Sequence, residues 1–386
     1  MNAPSILAAI DDLAQSWTAE RDERLQRRTL DRADFEALAE TGFLRLIVPE
    51  SHGGCWRSLA ESGPTVVDAV QRIARGDHSV GLVASMHPAV MIYWTAGREA
   101  PEPFAEAWEK QRSVVFRSAL DGHFWGTITS EPGSGGDILR TKATATPLDG
   151  GGRLFQLRGA KHFGSGSQVV SYMITTAKPV GSDLPMGFYL DLRDQPWDGS
   201  AGMTITREWD GMGMKATQSH ATMLDGVEAV AWAWPEAVVS GSPTAGALGL
   251  AMYCGVIGAV VDSAMAEAEV RLGGRDLRPY EDVAWAQSQI DHWMLTQAQR
   301  GLVDIIAGTE ADTAVLEAIK AKTGMAATAE TVLQNVCRAV GGGAFSASSP
   351  FASWYEDVRA LGYLRPPWAL AFDQLITARR ASAPSS

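Results

Sequence analysis

One stretch of the chain combines hydroxyl side chains and glycines in a pattern that could hold a planar cofactor. Residues 127–137 read TITSEPGSGGD, and residues 159–166 read GAKHFGSG. The hydroxyl groups of the two segments include those of Thr127, Thr129, Ser130 and Ser165. Together with backbone N–H groups freed by glycine and proline, they can bond the polar edge of a flat ring while Phe163 covers its face. We therefore predict a cofactor site.

Three other kinds of site are not indicated. Gly211-Met212-Gly213 is a fragment of a dinucleotide fingerprint, but no helix is predicted after it and no acidic residue stands at the expected distance. The seven histidines include no HExxH or HxxxH pair, which argues against a zinc site. Gly164-Ser165-Gly166 lacks the two-residue spacing between serine and glycine that a nucleophile elbow needs, so hydrolase chemistry has little support.

Composition narrows the function classes. The chain has 386 residues, 46% of them hydrophobic and 20% charged, enough for two or three globular domains. A formal net charge of -12 argues against extended contact with nucleic acid or an anionic membrane. Three scattered cysteines without CxxC spacing predict neither disulfides nor a thiolate metal site. With no basic run leading into an apolar block near the amino end, we expect a cytoplasmic protein.

The elements that must position these residues fall into three regions. Apolar residues recur at helical spacing in residues 1–125, which we interpret as a helical domain. Short alternating runs with glycine-rich turns predict an antiparallel β-barrel in residues 126–240. Long alanine-rich segments predict a four-helix bundle in residues 241–386. The expected fold class is mainly α with a central β domain.

Four motifs in this order resemble the acyl-CoA dehydrogenase superfamily, and the resemblance covers essentially the whole chain. Residues 48–54, VPESHGG, are similar to the family segment that ends in Pro-Glu, two variable residues and Gly-Gly. Residues 130–137, SEPGSGGD, resemble its Thr/Ser-Glu-Pro-Gly-Ala/Ser-Gly-Ser-Asp loop. Residues 211–217, GMGMKAT, resemble the glycine-methionine-arginine strand, and residues 341–345, GGGAF, stand where the family has Gly-Gly-x-Gly-Phe/Tyr.

The resemblance implies an FAD between barrel and bundle, in a homo-oligomer that is commonly a dimer of dimers, a homotetramer. Thr127, Thr129 and Ser130 would lie near the pyrimidine edge of the flavin. Phe163 and Ser165 would lie beside the ring and its N5.

The diphosphate end of the FAD would reach a neighbouring subunit. The resemblance implies that Gly341 and Gly342 face the FAD of that subunit, and that the bundle arginine on the diphosphate is Arg275, or Arg271 one helical turn earlier. Arg338 stands where many relatives have glutamine, and an arginine there could also serve a diphosphate.

The chain departs from the family at the catalytic base. Acyl-CoA dehydrogenases remove the α-proton of a thioester with a glutamate, usually in a Glu-Gly-Thr turn after an Arg-Asp pair. Here Glu356-Asp357 replaces Arg-Asp, and an ungapped count puts Arg365-Pro366-Pro367 on the turn. The alternative base position falls near Leu248-Gly249, again without a carboxylate. The serine that ends the family loop, near the acyl chain or CoA, is Gly136 here.

Three interpretations follow. In the first, which we favour, the protein oxidises an acyl substrate such as a CoA thioester and passes electrons to an electron-transfer flavoprotein or O₂, with a base such as Glu310, Asp357 or Asp373. In the second, it is a flavin monooxygenase of the same fold, which needs no α-proton base. In the third, it is a non-catalytic partner subunit, although the flavin loop of residues 130–137 is not degraded as that would predict.

In the monooxygenase interpretation, His162 and Ser165 could bond the flavin N5 region, and Arg365 could stabilise an anionic flavin or substrate. Each also has a simpler explanation. His162 could be a plain hairpin residue, and Arg365 could cap a helix end or pair with Glu356 or Asp357. Candidates for an acyl pocket are Met86, Met91 and Trp94, for which core packing is the alternative.

Overall fold

Along the sequence, one group of helices precedes the strands and a second group follows them. The computed structural model describes residues 2–97, 99–148, 152–238, 243–308 and 311–381. The helices are α1 (Ala3–Ala19), α2 (Arg21–Arg24), α3 (Arg32–Glu40), α4 (Leu59–Gly76), α5 (His78–Thr95), α6 (Ala105–Leu120), α7 (Pro243–Leu272), α8 (Pro279–Ala307), α9 (Ala311–Val340), α10 (Pro350–Tyr363) and α11 (Trp368–Ala381). The strands are β1 (Trp125–Thr127), β2 (Thr144–Pro147), β3 (Leu154–Gly164), β4 (Tyr172–Pro179), β5 (Met186–Asp191), β6 (Met203–Arg207) and β7 (His220–Ala231). The predicted boundary at residues 240 and 241 lies outside the described residues.

Helix α5 is the part of the amino-terminal region that reaches the site. It is apolar on nearly all sides and packs against α4, α7 and β1, as an all-round apolar helix must. The Asp77 side chain caps it by accepting a hydrogen bond from the Val80 N–H at 3.0 Å. Gly81 allows a close crossing with α4, because a Cβ there would lie 2.5 Å from the Ala74 Cβ. Helix α5 is therefore a rigid wall beside the sheet.

An aromatic cluster joins the amino-terminal helices to the barrel. The ring centroid of Trp94 lies 4.9 Å from that of Trp232 and 5.5 Å from that of Trp125. Trp108 stacks on Trp94 at 5.9 Å. All four rings are buried, so these tryptophans serve the core.

Five strands close into a barrel. Around the ring their order is β4, β2, β3, β7 and β5, and β5 pairs back to β4. The expectation of an antiparallel barrel is wrong for one pair of the ring, because β2 and β4 run parallel. The chain reverses direction between β2 and β3 and again between β3 and β4. Strand β4 then lies on the other side of β2 and runs parallel to it. The outlying strand β1 also runs parallel to β4.

The carboxyl-terminal helices pack around α7. Helices α7, α8 and α9 contact one another, α10 contacts α7 and α9, and α11 follows on α9. The segment Gly246–Leu272 of α7 is long and apolar enough to cross a membrane, with a mean hydropathy of 1.6, but 78% of its most apolar window is buried inside the fold. Such burial is typical of the core helix of a globular bundle.

Candidate active-site cavity

A cavity of about 720 Å³ opens between the barrel, α5, α7 and α10. Its volume is within the range of ~300–1,000 Å³ found for small-molecule and cofactor sites. The predicted site residues that line it are Thr127, Thr129, Ser130, Gly136, His162, Phe163, Ser165 and Arg365. The predicted site residues that do not line it are Arg275, Arg338, Gly341 and Gly342.

The loop after β1 presents its hydroxyls to the cavity because its backbone is bonded to the barrel. The Ile128 N–H donates to the Ile174 carbonyl at 2.8 Å, and the Thr175 hydroxyl donates to the Ile128 carbonyl at 2.7 Å. Further along, the His162 N–H donates to the Ser130 carbonyl at 2.9 Å. With these main-chain groups paired inside the protein, the side-chain hydroxyls of the loop remain available at the cavity wall.

A buried ion pair holds the same loop from inside the barrel. Lys161 Nζ donates to Glu131 Oε1 and to the Thr176 carbonyl, both at 2.6 Å. The Glu131 carboxylate also accepts hydrogen bonds from the N–H groups of Lys142 and Ala143. Burial lowers the pKa of Lys161, and the charge of Glu131 opposes that shift. Sequence reasoning gave no role to this pair, and no local pattern marks it because its members stand 30 residues apart.

His162 and Phe163 stand in a β-bulge at the cavity. The pairing register of β3 and β7 shifts between Lys161 and Gly164. Phe163 has a positive φ of 59°, and its ring lies edge to face with Trp209 at 6.2 Å. A left-handed backbone is strained for an aromatic residue, and bulges often re-aim side chains beside active sites. The local fold thus turns the Phe163 ring, which is 59% exposed, toward the open side of the cavity.

Three hydroxyls form a chain that ends at the cavity. Ser165 Oγ lies 2.7 Å from Ser219 Oγ, which lies 2.8 Å from Thr217 Oγ1. The Thr217 hydroxyl donates to the Met214 carbonyl at 2.9 Å. Because each hydroxyl has one hydrogen, Ser219 then donates to Thr217 and Ser165 donates to Ser219. Ser165 therefore offers a lone pair to the cavity, and it is suited to accept a hydrogen bond from a ligand N–H.

The loop of residues 211–217 packs against α10, and the contact at Gly213 leaves no room for a side chain. A Cβ at Gly213 would lie 2.3 Å from the Glu356 carbonyl oxygen. Asp357 Oδ1 accepts a hydrogen bond from the Met214 N–H at 2.6 Å, and its Oδ2 lies 3.2 Å from His78 Nδ1. Asp357, a candidate base in the sequence analysis, is buried and does not line the cavity. Its carboxylate holds α10 in place instead.

Arg365 lies on a turn after α10, and a lysine of α9 holds this turn by hydrogen bonds. Lys322 of α9 is buried, and its Nζ donates to the carbonyl oxygens of Leu364 and Pro366 at 3.1 and 2.7 Å. The guanidinium of Arg365 reaches Ser130, with 3.5 Å between Nη2 and Oγ. Burial lowers the pKa of Arg365, but a guanidinium keeps its charge in proteins. The turn therefore places a cation against the loop predicted to hold the cofactor.

The carboxylates among the described lining residues belong to Glu131 and Glu356. Glu131 pairs with Lys161, and Glu356 Oε2 accepts a hydrogen bond from Arg359 at 2.8 Å. Arg365 forms no ion pair with any carboxylate in the part of the chain that the structure describes. The alternative in which Arg365 pairs with Glu356 or Asp357 is therefore wrong.

The remaining candidates from the sequence lie away from the cavity or outside the described residues. Asp373 is exposed on α11 and does not line the cavity, and Glu310 lies outside the described residues. Of the predicted acyl-pocket residues, Met86 lines the cavity, whereas Met91 and Trp94 are buried in the core.

Gly136 explains one departure from the family pattern. It has a φ of 85°, and a Cβ there would lie 3.0 Å from the Cδ of Pro367. A serine would strain the backbone and press on the turn that carries Arg365. Glycine thus allows the loop of residues 130–137 to pack against that turn.

The other predicted cofactor residues gather at the carboxyl end of α9. Arg275 donates from Nη1 to the Val340 carbonyl at 3.3 Å, and Arg338 donates to Asn335 Oδ1 at 3.2 Å. Gly341 follows with a φ of 82°, and a Cβ there would meet no atom within 4 Å. This cluster is separate from the cavity of the same chain. The alternative arginine, Arg271, pairs with a glutamate one turn earlier on its own helix.

Comparison with known proteins gives relatives of different activities, among them monooxygenases and acyl-CoA dehydrogenases. No family model matches the chain. Dibenzothiophene monooxygenase of Rhodococcus qingshengii is 29% identical over 235 residues, which cover 58% of this chain and 49% of that protein. Benzylmalonyl-CoA dehydrogenase of Aromatoleum aromaticum is 29% identical over 202 residues, which cover 52% of this chain and 48% of that protein. The match thus spans about half the length of each relative.

Among solved structures, FMN-bound TdsC from Paenibacillus sp. A11-2 superposes with a TM-score of 0.80 at 19% identity, covering 98% of both chains. This similarity extends over the helices, the barrel and the bundle, and it establishes the fold. The comparisons confirm the resemblance that the motifs indicate: the chain is similar in sequence to monooxygenases and to acyl-CoA dehydrogenases, and similar in structure to flavin monooxygenases of the acyl-CoA dehydrogenase fold.

Proposed function

We propose that this chain is a flavin-dependent monooxygenase that uses reduced flavin and O₂ on a small organic substrate in the cavity. The observation that carries the proposal is the absence of an unpaired carboxylate among the described residues that line the cavity, with Arg365 on the turn where the family glutamate is expected. A cation cannot remove an α-proton, whereas oxygenation requires no such base. The relatives named dibenzothiophene monooxygenase agree with this choice.

The cavity wall fits a flavin ring. Hydroxyls of Thr127, Thr129 and Ser130 stand on a loop that the barrel holds rigidly, and Phe163 with Trp209 supplies aromatic surface at the opening. A bound flavin would supply hydride acceptance when oxidised and O₂ activation when reduced. The hydroxyl chain leaves Ser165 as an acceptor, which suits the additional N–H of a reduced ring.

The residues of the cavity would bind and orient the substrate beside the flavin. Leu82, Met86 and Val90 form an apolar wall on one face of α5, and they would exclude water from the reacting atoms. Arg365 would stabilise negative charge beside the ring.

We propose FAD as the form of the flavin, with Arg275 and Arg338 of a neighbouring subunit on its diphosphate. Two guanidinium groups beside the open turn at Gly341 suit two phosphates, because arginine binds phosphate oxygens in a bidentate manner. Titration of the apoprotein with FAD and FMN tests this point. Tighter binding of FAD, reduced to the level of FMN by Arg275→Met, supports it. Equal or tighter binding of FMN overturns the FAD assignment and leaves the flavin proposal intact.

A homo-oligomer, dimer or tetramer, is part of this proposal, because the α9 cluster does not reach the cavity of its own chain. Helix α8 offers a surface for a second copy of the chain. Its exposed apolar residues include Tyr280, Val283, Ile290, Trp293 and Met294. Several large exposed apolar side chains on one helix are typical of a surface that binds a partner.

The test of the activity is rapid mixing of reduced, flavin-loaded protein with O₂, followed by flavin absorbance. A transient spectrum that belongs to neither oxidised nor reduced flavin, and that free flavin lacks under the same conditions, is the expected result. In parallel, oxidised flavin-loaded protein is mixed anaerobically with a panel of acyl-CoA thioesters.

Bleaching of the flavin by a thioester would overturn the monooxygenase proposal in favour of a dehydrogenase. That second candidate has one specific support, the carboxylate of Glu356 at the cavity wall. Release of Glu356 from Arg359 would be needed before it could act as a base. Loss of bleaching in Glu356→Gln would then assign it.

A further inference from the structure

Arg365 lies on the cavity wall and forms no ion pair with a carboxylate among the described residues, although burial lowers its pKa and the charge of Asp137 is close enough to oppose that shift. A guanidinium carries five N–H donors. Within the described residues, its hydrogen bonding amounts to one long contact, 3.5 Å from Nη2 to the Ser130 hydroxyl. The other arginine at the cavity wall, Arg359, has a carboxylate partner in Glu356. Arg365 therefore retains donors for a ligand.

The position of Arg365 is built into the fold rather than left to a flexible side chain. Lys322 binds the carbonyl on each side of it, and Gly136 packs against Pro367 just beyond it. A buried lysine is a costly way to hold a turn, because its ammonium leaves water. A rigid turn of this kind preorganises the guanidinium for a partner that arrives from the cavity.

The surroundings of the guanidinium indicate the rest of the ligand. Tyr93 and Tyr253 line the cavity close enough to Arg365 to influence its pKa, and the Tyr253 hydroxyl donates to the Met86 sulfur at 3.4 Å. This wall is aromatic and apolar apart from the two phenols. It suits a flat or aliphatic body of modest size.

We propose that the substrate carries a carboxylate, which Arg365 binds while its apolar body lies against Tyr93 and Tyr253. This inference rests on the proposed function and assigns the substrate class for the same site. Planar oxyanions match the fork of a guanidinium in bidentate geometry.

Negative charge beside Arg365 has two chemical sources, a substrate carboxylate and the ring of a reduced flavin. Our proposal commits to the carboxylate. An experiment on the flavin-free protein separates the two, since only the carboxylate can then contribute.

The experiment is calorimetric titration of the apoprotein with matched acids and amides: benzoate and benzamide, phenylacetate and phenylacetamide, indole-3-carboxylate and its amide. The proteins are the wild type, Arg365→Met, Arg365→Lys and Arg140→Met. Arg140 is exposed and does not line the cavity, so its variant controls for loss of one positive charge. Circular dichroism and thermal unfolding establish that each variant folds.

We expect at least one acid to bind wild type about tenfold or more tightly than its amide, as charge-assisted hydrogen bonds allow. The preference should vanish in Arg365→Met, fall in Arg365→Lys and persist in Arg140→Met. Equal binding of acids and amides, an unchanged preference in Arg365→Met, or no saturable binding of any acid at millimolar concentration would each overturn the proposal. Should Arg365→Met fail to fold, the same comparison in Arg365→Lys decides.

A separate titration with reduced and oxidised flavin distinguishes failure of this inference from failure of the proposed function. Weaker binding of reduced flavin by Arg365→Met, with no acid preference in wild type, assigns the charge to the flavin and overturns the substrate proposal alone. No flavin binding by wild type overturns the proposed function, and the acid preference of the apoprotein remains a separate result.

Discussion

Glu131 and Lys161 meet inside the barrel with 2.6 Å between Oε1 and Nζ, and their side chains are 3% and 0% exposed. The pair joins the proposed flavin loop to strand β3. Removal of one member leaves a buried charge unpaired, which costs about 3–5 kcal/mol. We predict that Lys161→Met lowers the free energy of unfolding by that amount, as measured by urea denaturation. Lys142→Met, which changes a lysine with an exposed side chain just before strand β2, is the control.

Lys161→Met should also bind flavin more weakly than wild type, because the loop that carries the hydroxyls loses its ion pair with strand β3. A variant as stable as Lys142→Met would contradict the structural role of the pair.

The buried amine of Lys322 predicts a stability that changes with pH. Burial lowers its pKa to about 8, whereas an unfolded lysine titrates near ~10.4. Between these values the unfolded chain binds more protons than the folded chain, so the free energy of unfolding rises with pH. The free energy of unfolding of wild type minus that of Lys322→Met should therefore rise by about 3 kcal/mol from about pH 8 to about pH 10.5.

Urea denaturation at several pH values measures this difference. Lys320→Met on the same helix, whose side chain is 58% exposed and pairs with Glu317, should show no such trend. Parallel pH profiles for wild type and Lys322→Met would refute the prediction.

Local motifs and distant pairings differ in how far the sequence could predict them. Thr127, Ser130 and Ser165 could be grouped from sequence, because each stands in a short turn motif whose glycines reveal the backbone. The contact of Arg365 with Ser130 joins residues 235 positions apart and depends on how α10 docks on the barrel. Long-range packing of that kind leaves no periodic signal along the chain. The same limit explains why Asp357 was a candidate base although its carboxylate holds the loop at Met214.

The Gly136 position predicts a difference between two glycines of one loop. Gly136 and Gly133 both have positive φ values, 85° and 76°, but a Cβ at Gly133 meets nothing within 4 Å. Serine at either position should lose about 1–2 kcal/mol to left-handed backbone strain. Gly136→Ser should lose more, because its Cβ presses on Pro367. Thermal unfolding compares the two, and equal losses would show that the contact with Pro367 yields without cost.

The apolar face of α8 predicts an oligomer that a single charge disrupts. Trp293 is 63% exposed in the isolated chain and lies among other exposed apolar residues. Burying a glutamate against a second copy without a partner is unfavourable by several kcal/mol. Light scattering after size exclusion should therefore give a smaller species for Trp293→Glu than for wild type. Val114→Glu on α6, also an exposed apolar residue, should keep the wild-type mass.

The hydroxyl chain predicts a preference between redox forms of the flavin. In wild type, Ser165 donates to Ser219 and keeps a lone pair for the N–H that reduction adds to the ring. Ser219→Ala removes the hydroxyl that accepts the Ser165 hydrogen. Ser165 can then turn its hydrogen toward the cavity, which favours the oxidised ring. The ratio of dissociation constants for oxidised and reduced flavin should fall by about 2–10-fold, the value of one hydrogen bond of 0.5–1.5 kcal/mol. Ser200→Ala, an exposed serine outside the cavity, should leave the ratio unchanged. An unchanged ratio in Ser219→Ala would mean that Ser165 does not bond the part of the flavin that changes on reduction.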